Sequence, residues 1–438
     1  MSRRHLGYVL RAGVVLLSAA VLATTGYGWS VVRQVSDTLV TSEALGDSEP
    51  VGLDEEFTAL LVGIDTRTDA AGNPLPPEVL AELRAGVDEG QFNTDTIILL
   101  HVPAGPDARA SAVSIPRDSF VEIAGDLGEH KINAAYRRGM SAAEDELTAR
   151  GLSGAALERA TREAGRRTLV ETVEAFTGVT VDHFAEINLA GFVEITEAIG
   201  GVPVCLNNPV REERSGVDLP AGPQVVSGGD ALAFVRQRRD LPDGDLDRVT
   251  RQQAFLAGLA RASLTSGALA DPVRVERLVG AVTRYVVLDR GWDLDRLVAQ
   301  LRRASGSDIA FRTIPTGRPD LRTPVDGVAV EVDPDAVRAF TTDVFELDAV
   351  RERLAAPLTA DDAAPRDDAT STDGAAPTTV RGTAVPPWPP NPVPSPTPTA
   401  TPAPTATPVP SPTADAEPTA PATTVERPIT AATVPCVD

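Results

Sequence analysis

Lysine is almost missing from this 438-residue chain: of its 40 basic residues only Lys131 is not an arginine. Cysteine is nearly as scarce. Cys205 and Cys436 stand 231 positions apart, which excludes a zinc finger, a CxxC redox pair and a disulfide-dense scaffold. Two readings of them stay open: one disulfide closing a long loop, or a buried free Cys205 with a reactive Cys436. The four histidines (His5, His101, His130, His183) show no metal-ligand spacing, and HExxH, GxSxG and Ser-x-x-Lys motifs are absent, which argues against histidine-centred hydrolysis. No GxxxxGK[ST] loop is present either, so ATP-dependent chemistry has no support. A formal net charge of −22 leaves no broad basic face, so nucleic acid is not expected as a partner. A local basic pocket is still compatible with that charge.

What the chain has in excess is proline, unevenly placed. Of 37 prolines, 20 fall after residue 350, where small and acidic residues give way to a Pro/Thr-rich run. No packed core can be built there, so 351–438 is predicted to be a disordered or polyproline tail. At the other end, Ala12 to Val32 are 21 residues without a charge, flanked by Arg3, Arg4, Arg11 and Arg33. As a helix they would reach about 31 Å, the thickness of a bilayer core. A cleaved signal peptide is the alternative, but the run is longer than a signal core and ends in Tyr27 and Trp29, suited to a membrane interface. The expected layout is therefore a cytoplasmic N-terminus over 1–11, a transmembrane helix over 12–32 and a stalk over 33–55. A folded domain over 56–350 would then lie outside a cell membrane crossed once.

Within that domain, short apolar runs read as buried strands: Phe57–Ile64, Thr96–Val102, Ala110–Ile115, His183–Ile187, Val202–Leu206 and Ile309–Ile314. Helical spacing lies between them at Ala142–Phe176, Leu189–Ile199, Arg248–Leu264, Val273–Val287, Leu294–Ala304 and Pro334–Phe345. Alternating strands and helices predict an α/β domain, a mixed sheet flanked by helices.

Carboxylates and arginines gather where these elements end. Asp65 and Arg67 follow the first strand, and Asp95 opens the second. Either aspartate alone is suited to capping a turn, but two converging at one sheet edge would suit Mg2+, which takes one or two carboxylates and completes its shell with water and phosphate. SIPRDSF sets Arg117 and Asp118 after a strand, and HKINAAY sets Lys131 and Asn133 at a helix start. In ALAFVRQRRDLPDGDLDRVTRQQAFL, Arg236 and Arg238 precede a loop, and Asp245, Arg248, Arg251 and Gln252 begin a helix. Arginines grouped at a helix start are what a diphosphate requires, because guanidinium forks match phosphate oxygens. The competing reading is a surface network pairing them with Asp240, Asp243, Asp245 and Asp247.

Taken in order, LLVGIDTR, TDTIILLHV, SIPRDSFV, HKINAAY, INLAGFVEITEAIGGVPV, LPAG and GGDALAFVRQRRDLPDGDLDRVTRQQAFL resemble the LytR-CpsA-Psr family, of the actinobacterial type. The resemblance runs from about Phe57 to Phe345. It implies an α-β-α fold enclosing a hydrophobic cavity for a polyprenyl chain. The implied enzyme is a glycopolymer–peptidoglycan phosphotransferase, moving a glycan from a polyprenyl diphosphate donor to a peptidoglycan hydroxyl, forming a phosphodiester and releasing polyprenyl phosphate. The alternative is a membrane-anchored module that binds polyprenyl phosphates without turnover. By motif position, Asp65 and Asp95 would hold Mg2+, Arg117, Arg236, Arg238 and Arg248 would grip the diphosphate, and Arg67, Lys131, Asp245 and Gln252 would complete the pocket. Asp118 and Arg117 are both candidates for the base that takes the acceptor's proton. Three departures are visible: Asn93-Thr94 stand where the family usually has Arg-Ser, the interval from Asp65 to Asp95 carries an insert, and Asp247 replaces a glycine before Arg248.

Overall fold

The computed structural model describes residues 18, 39–46, 51–52, 55–83, 92–104, 109–212, 216–237, 241, 244–265, 271–292, 309–355, 428–430 and 434–438. All of the predicted membrane span except Ser18, the helix expected over Leu294–Ala304, and residues 356–427 of the tail lie outside that set. Among the described residues, no helix is long and apolar enough to cross a membrane.

Strand β1 (Val40–Ser42) precedes β2 (Phe57–Ile64), helix α1 (Pro77–Glu82), β3 (Thr94–Val102), β4 (Ser111–Ser114) and the hairpin β5 (Phe120–Glu122) and β6 (Glu129–Lys131). Helices α2 (Ala135–Ala149) and α3 (Gly154–Thr177) lead to β7 (His183–Asn188), α4 (Leu189–Ala198), β8 (Val202–Leu206), β9 (Val210–Glu212), β10 (Val217–Leu219) and β11 (Gly222–Val226). Next come α5 (Gly228–Arg236), α6 (Asp245–Thr265), α7 (Pro272–Tyr285), β12 (Val286–Asp289), β13 (Ala310–Thr313), β14 (Leu321–Thr323), β15 (Gly327–Ala329) and α8 (Pro334–Ala355). Two short strands, β16 (Ile429–Thr430) and β17 (Cys436–Val437), close the chain.

Eight strands form one mixed sheet in the order β1-β12-β7-β2-β3-β4-β13-β16. Alternation along β2 explains its two cores. Leu60, Val62 and Ile64 pack with Leu169, Val173 and Val337 of α3 and α8, whereas Phe57, Ala59 and Leu61 face Ala257, Leu256 and Val286 on the opposite side. A third core joins α4, α5 and α6 to the small sheet β11-β8-β17. Helix α6 lies very close to that sheet: a Cβ on Gly258 would stand 2.3 Å from the Pro203 carbonyl oxygen.

The expected strands at Phe57–Ile64 and Val202–Leu206 are present with those bounds. Four segments differ from expectation. The helix read over Ala142–Phe176 is two, α2 and α3, because the chain turns through Gly151 and Gly154 at φ 89° and 55°, a region glycine enters without steric cost. The helix read over Val273–Val287 stops at Tyr285, and Val286 to Leu288 pair with β7. The stalk expected over 33–55 contributes β1, which pairs with β12 and is pinned by Glu163: the Ser42 hydroxyl donates to its carboxylate at 2.5 Å. The tail expected over 351–438 begins inside α8, and its last residues return to the domain, β16 on β13 and β17 on β8. Cys436 is disulfide-bonded to Cys205.

Candidate active site at the mouth of an apolar cavity

A cavity of about 700 Å3 opens between the sheet and helices α4, α5 and α6. Its deep part is apolar, walled by Leu61, Ile98 and Ile187 of the sheet and by Phe192, Phe255 and Leu259 of the helices. Its mouth is charged, carrying Asp65, Asp95, Arg117, Asp118, Lys131, Arg236 and Arg248, with Gln252 beside them.

The sheet register brings these residues together. Because β2 and β3 are antiparallel, Ile64 at the end of one faces Thr94 at the start of the other, so Asp65 and Asp95 become neighbours despite the insert between them. The Asp65 amide donates to the Asn93 carbonyl at 3.1 Å. Strand β4 returns antiparallel to β3, which places Arg117 against Asp95, and the two side chains are hydrogen-bonded. The hairpin end adds Lys131, whose Nζ lies 3.3 Å from Asp118. Helix α6 contributes Asp245 behind the arginines, 2.7 Å from Arg248 and 3.5 Å from Arg117.

Crowding sets the electrostatics. Burial pushes the Asp65 carboxyl above its ordinary value, and the Asp95 charge adds to this against the opposing pull of Arg67, whose Nη1 lies 2.5 Å away. Burial also raises Asp95, but Arg117, Arg248 and Arg236 together outweigh it and hold that carboxyl low. Asp245 is raised by burial. Among the cations, Arg248 is pushed down by burial and by Arg117, while Arg117 is raised because Asp95, Asp245 and Asp118 overcome its own burial.

The site has unused capacity for an anion. Arg248 Nε is buried without a partner, and Arg117 Nε and Arg248 Nη2 have Asp245 as an ion-pair neighbour but no well-aligned hydrogen bond. Arg236 makes no ion pair with any described residue. Buried unpaired guanidinium donors are costly, and phosphate oxygens are the acceptors whose geometry suits them. The donor set also fits Mg2+: two carboxylates from adjacent strand ends line one rim, and their mutual repulsion is what a cation between them would relieve.

The structure separates the sequence-predicted residues. Asp65, Asp95, Arg117, Asp118, Lys131, Arg236, Arg248 and Gln252 line the cavity; Asp245 supports it; Arg67 turns back onto Asp65 outside the lining; Arg238 lies outside the described residues. The paired-network reading holds for Asp245, while Asp240 and Asp243 lie outside the described residues. Arg251, expected on the same helix face as Arg248, is instead fully buried away from the mouth and donates to Gln237 and to the Asp438 main-chain oxygen. Asn133 and Asn188 also line the cavity. Asn133 had a signal in HKINAAY, and Asn188 stands in the motif INLAGFVEITEAIGGVPV without having been singled out: it caps α4, accepting from the Gly191 amide at 2.8 Å.

The profile of the LytR_cpsA_psr family matches residues 31–344. The chain belongs to that family. This LytR-CpsA-Psr chain is 43% identical over 337 residues to the cell wall biosynthesis protein LcpA of Corynebacterium glutamicum, covering 76% of its own length and 64% of that relative's. It spans less than two thirds of LcpA. It is also 27% identical over 313 residues to the polyisoprenyl-teichoic acid–peptidoglycan teichoic acid transferase TagU of Enterococcus faecalis, covering 70% of this chain and 86% of TagU. Among solved structures, protein gbs0355 of Streptococcus agalactiae shares the fold, with a TM-score of 0.50 at 20% identity over 71% of this chain and 91% of that one.

Proposed function

We propose that this LytR-CpsA-Psr protein transfers a glycopolymer from a polyprenyl diphosphate carrier to peptidoglycan. One observation carries the reading: the guanidinium groups of Arg117, Arg236 and Arg248 converge at the mouth of an apolar cavity, with the buried Arg248 Nε left without an acceptor. The apolar depth suits a prenyl chain and the mouth suits its diphosphate. The similarity to TagU supports the same class of reaction.

In the proposed step an acceptor hydroxyl attacks the glycan-bearing phosphorus. A new P–O bond forms, the bond to the second phosphate breaks, and polyprenyl phosphate leaves with the bridging oxygen and its electron pair. Such a transfer depends on positioning and charge neutralisation more than on a nucleophilic side chain. Arg117, Arg236 and Arg248 would hold the diphosphate, with Lys131 and Gln252 at the rim. Mg2+, held by Asp65 and Asp95, would supply further neutralisation of the diphosphate. Of the two candidate bases, Asp118 is favoured, because neighbouring carboxylates strengthen the hold of Arg117 on its proton. A membrane anchor over 12–32, with the domain outside the cell, belongs to the same proposal, since the donor is a membrane lipid.

The test incubates the full chain in detergent with a polyprenyl diphosphate-linked glycan, peptidoglycan and Mg2+, following polyprenyl monophosphate by mass spectrometry. Release that needs both peptidoglycan and Mg2+ is expected. Activity unaffected by chelation would contradict the metal, and binding without release would favour the non-catalytic module.

A further inference from the structure

Arg251 is the largest side chain fully buried in the described protein, and it lies outside the cavity. A cation in a core needs partners that justify its desolvation. Its partners come from two other elements, the end of α5 and the chain just after β17. Nη1 donates at 2.5 Å to Oε1 of Gln237, itself buried and one residue beyond Arg236 at the end of α5. Nε donates to the main-chain oxygen of Asp438, directly after β17. The guanidinium carbon sits 5.2 Å from the centre of the Phe234 ring, two residues before Arg236. On its own helix, Arg251 is one turn beyond Arg248.

One cation thus ties the end of α5, the first turns of α6 and the returning C-terminal strand into one knot, and the two helix ends carry Arg236 and Arg248 into the cavity mouth. The strand cannot drift from the knot, because Cys436 is bonded to Cys205 on β8 and its neighbour Val437 is paired with Leu206. We propose that Arg251 is a positioning residue for the anion site, and that it works only while the disulfide holds β17 in place. Losing β17 would leave a buried guanidinium short of an acceptor. The arginine would have to shift toward other acceptors, and Gln237 with it, so that Arg236 and Arg248 would no longer converge. Burial presses the Arg251 pKa down to about 10, against the opposing pull of the Asp247 and Asp438 charges.

The inference rests on the mouth being a diphosphate site, and the test separates the two. Geranyl diphosphate binding to the full chain in detergent is measured by calorimetry for wild type, Arg251→Met, Cys436→Ser and the double variant, with circular dichroism confirming the fold. Each single variant is expected to bind about tenfold more weakly, roughly 1.4 kcal/mol, and the double variant no more weakly than Arg251→Met alone. Either single variant binding like wild type, or a double variant losing the product of the two factors, would overturn the inference. If Arg251→Met does not fold, Arg251→Lys replaces it: a compact ammonium cannot span Gln237 and Asp438 together, so the same loss is expected, and full affinity would refute the role. Wild type failing to bind the probe would sink the diphosphate reading, and this inference with it.

Discussion

At the residue scale, the two rim aspartates are opposed in what they do for stability. The folded pKa of Asp65 is raised, so its contribution is fully present below the unfolded carboxylate value and is lost as pH rises through the raised value. At neutral pH its ionised form therefore weighs against the fold. Asp65→Asn is expected to raise the melting temperature at pH 7 by a few degrees, with the gap to wild type closing toward about pH 4. Asp95 is held low, so its contribution is present above the unfolded value and lost as pH falls through the folded one. Asp95→Asn should accordingly lower the melting temperature at pH 7. Thermal melts of both variants across pH check this, and a lowered melting point for Asp65→Asn at pH 7 would contradict it. That the two aspartates bracket one rim was legible in VGIDTR and NTDTIILL. Which of them bears the burden of crowding was not, because it depends on the arginines that β4 and α6 bring from elsewhere.

At the scale of elements, strands were legible where their apolar character is local and continuous, as in FTALLVGI, which is buried on both faces. Edge strands were not. The pairing of β1 relies on Glu163, more than a hundred positions away, and nothing in VTS announces it. Helix direction was half legible. Spacing alone put Arg248, Arg251 and Gln252 on one face, yet a spread of three and four residues covers enough arc for Arg251 to be drawn into the core by Gln237 and Asp438 while its neighbours line the cavity. The docking of α6 that allows this depends on Gly258, whose missing side chain leaves room for the Pro203 carbonyl. Gly258→Ala should cost about 1–3 kcal/mol of stability and weaken geranyl diphosphate binding through the displaced helix. Denaturant unfolding and the same calorimetry check it, and unchanged stability would show that α6 is seated less closely.

For the whole molecule, the −22 net charge describes the bulk and conceals the chemistry. Positive charge is concentrated where three sheet strands end and two helices meet, over a cavity whose walls are apolar. The lone lysine belongs there: Lys131 faces Asp118 at the rim, in a chain that otherwise writes its positive charge as arginine. The two cysteines, for which the sequence left a disulfide and two free thiols both open, join the last strand to the wall of the third core. Sequence order showed the family and most of the charged residues that line the cavity; the closure by β16 and β17 depended on long-range pairing that no local pattern encodes. The measurement that bears most directly on the whole account is turnover of a polyprenyl diphosphate-linked glycan by Arg236→Ala beside wild type. Arg236 lines the cavity and makes no ion pair with a described residue, so its loss should leave the fold intact. A loss of polyprenyl phosphate release of about 100-fold or more is expected, with the fold retained in circular dichroism. Release at the wild-type rate would contradict it.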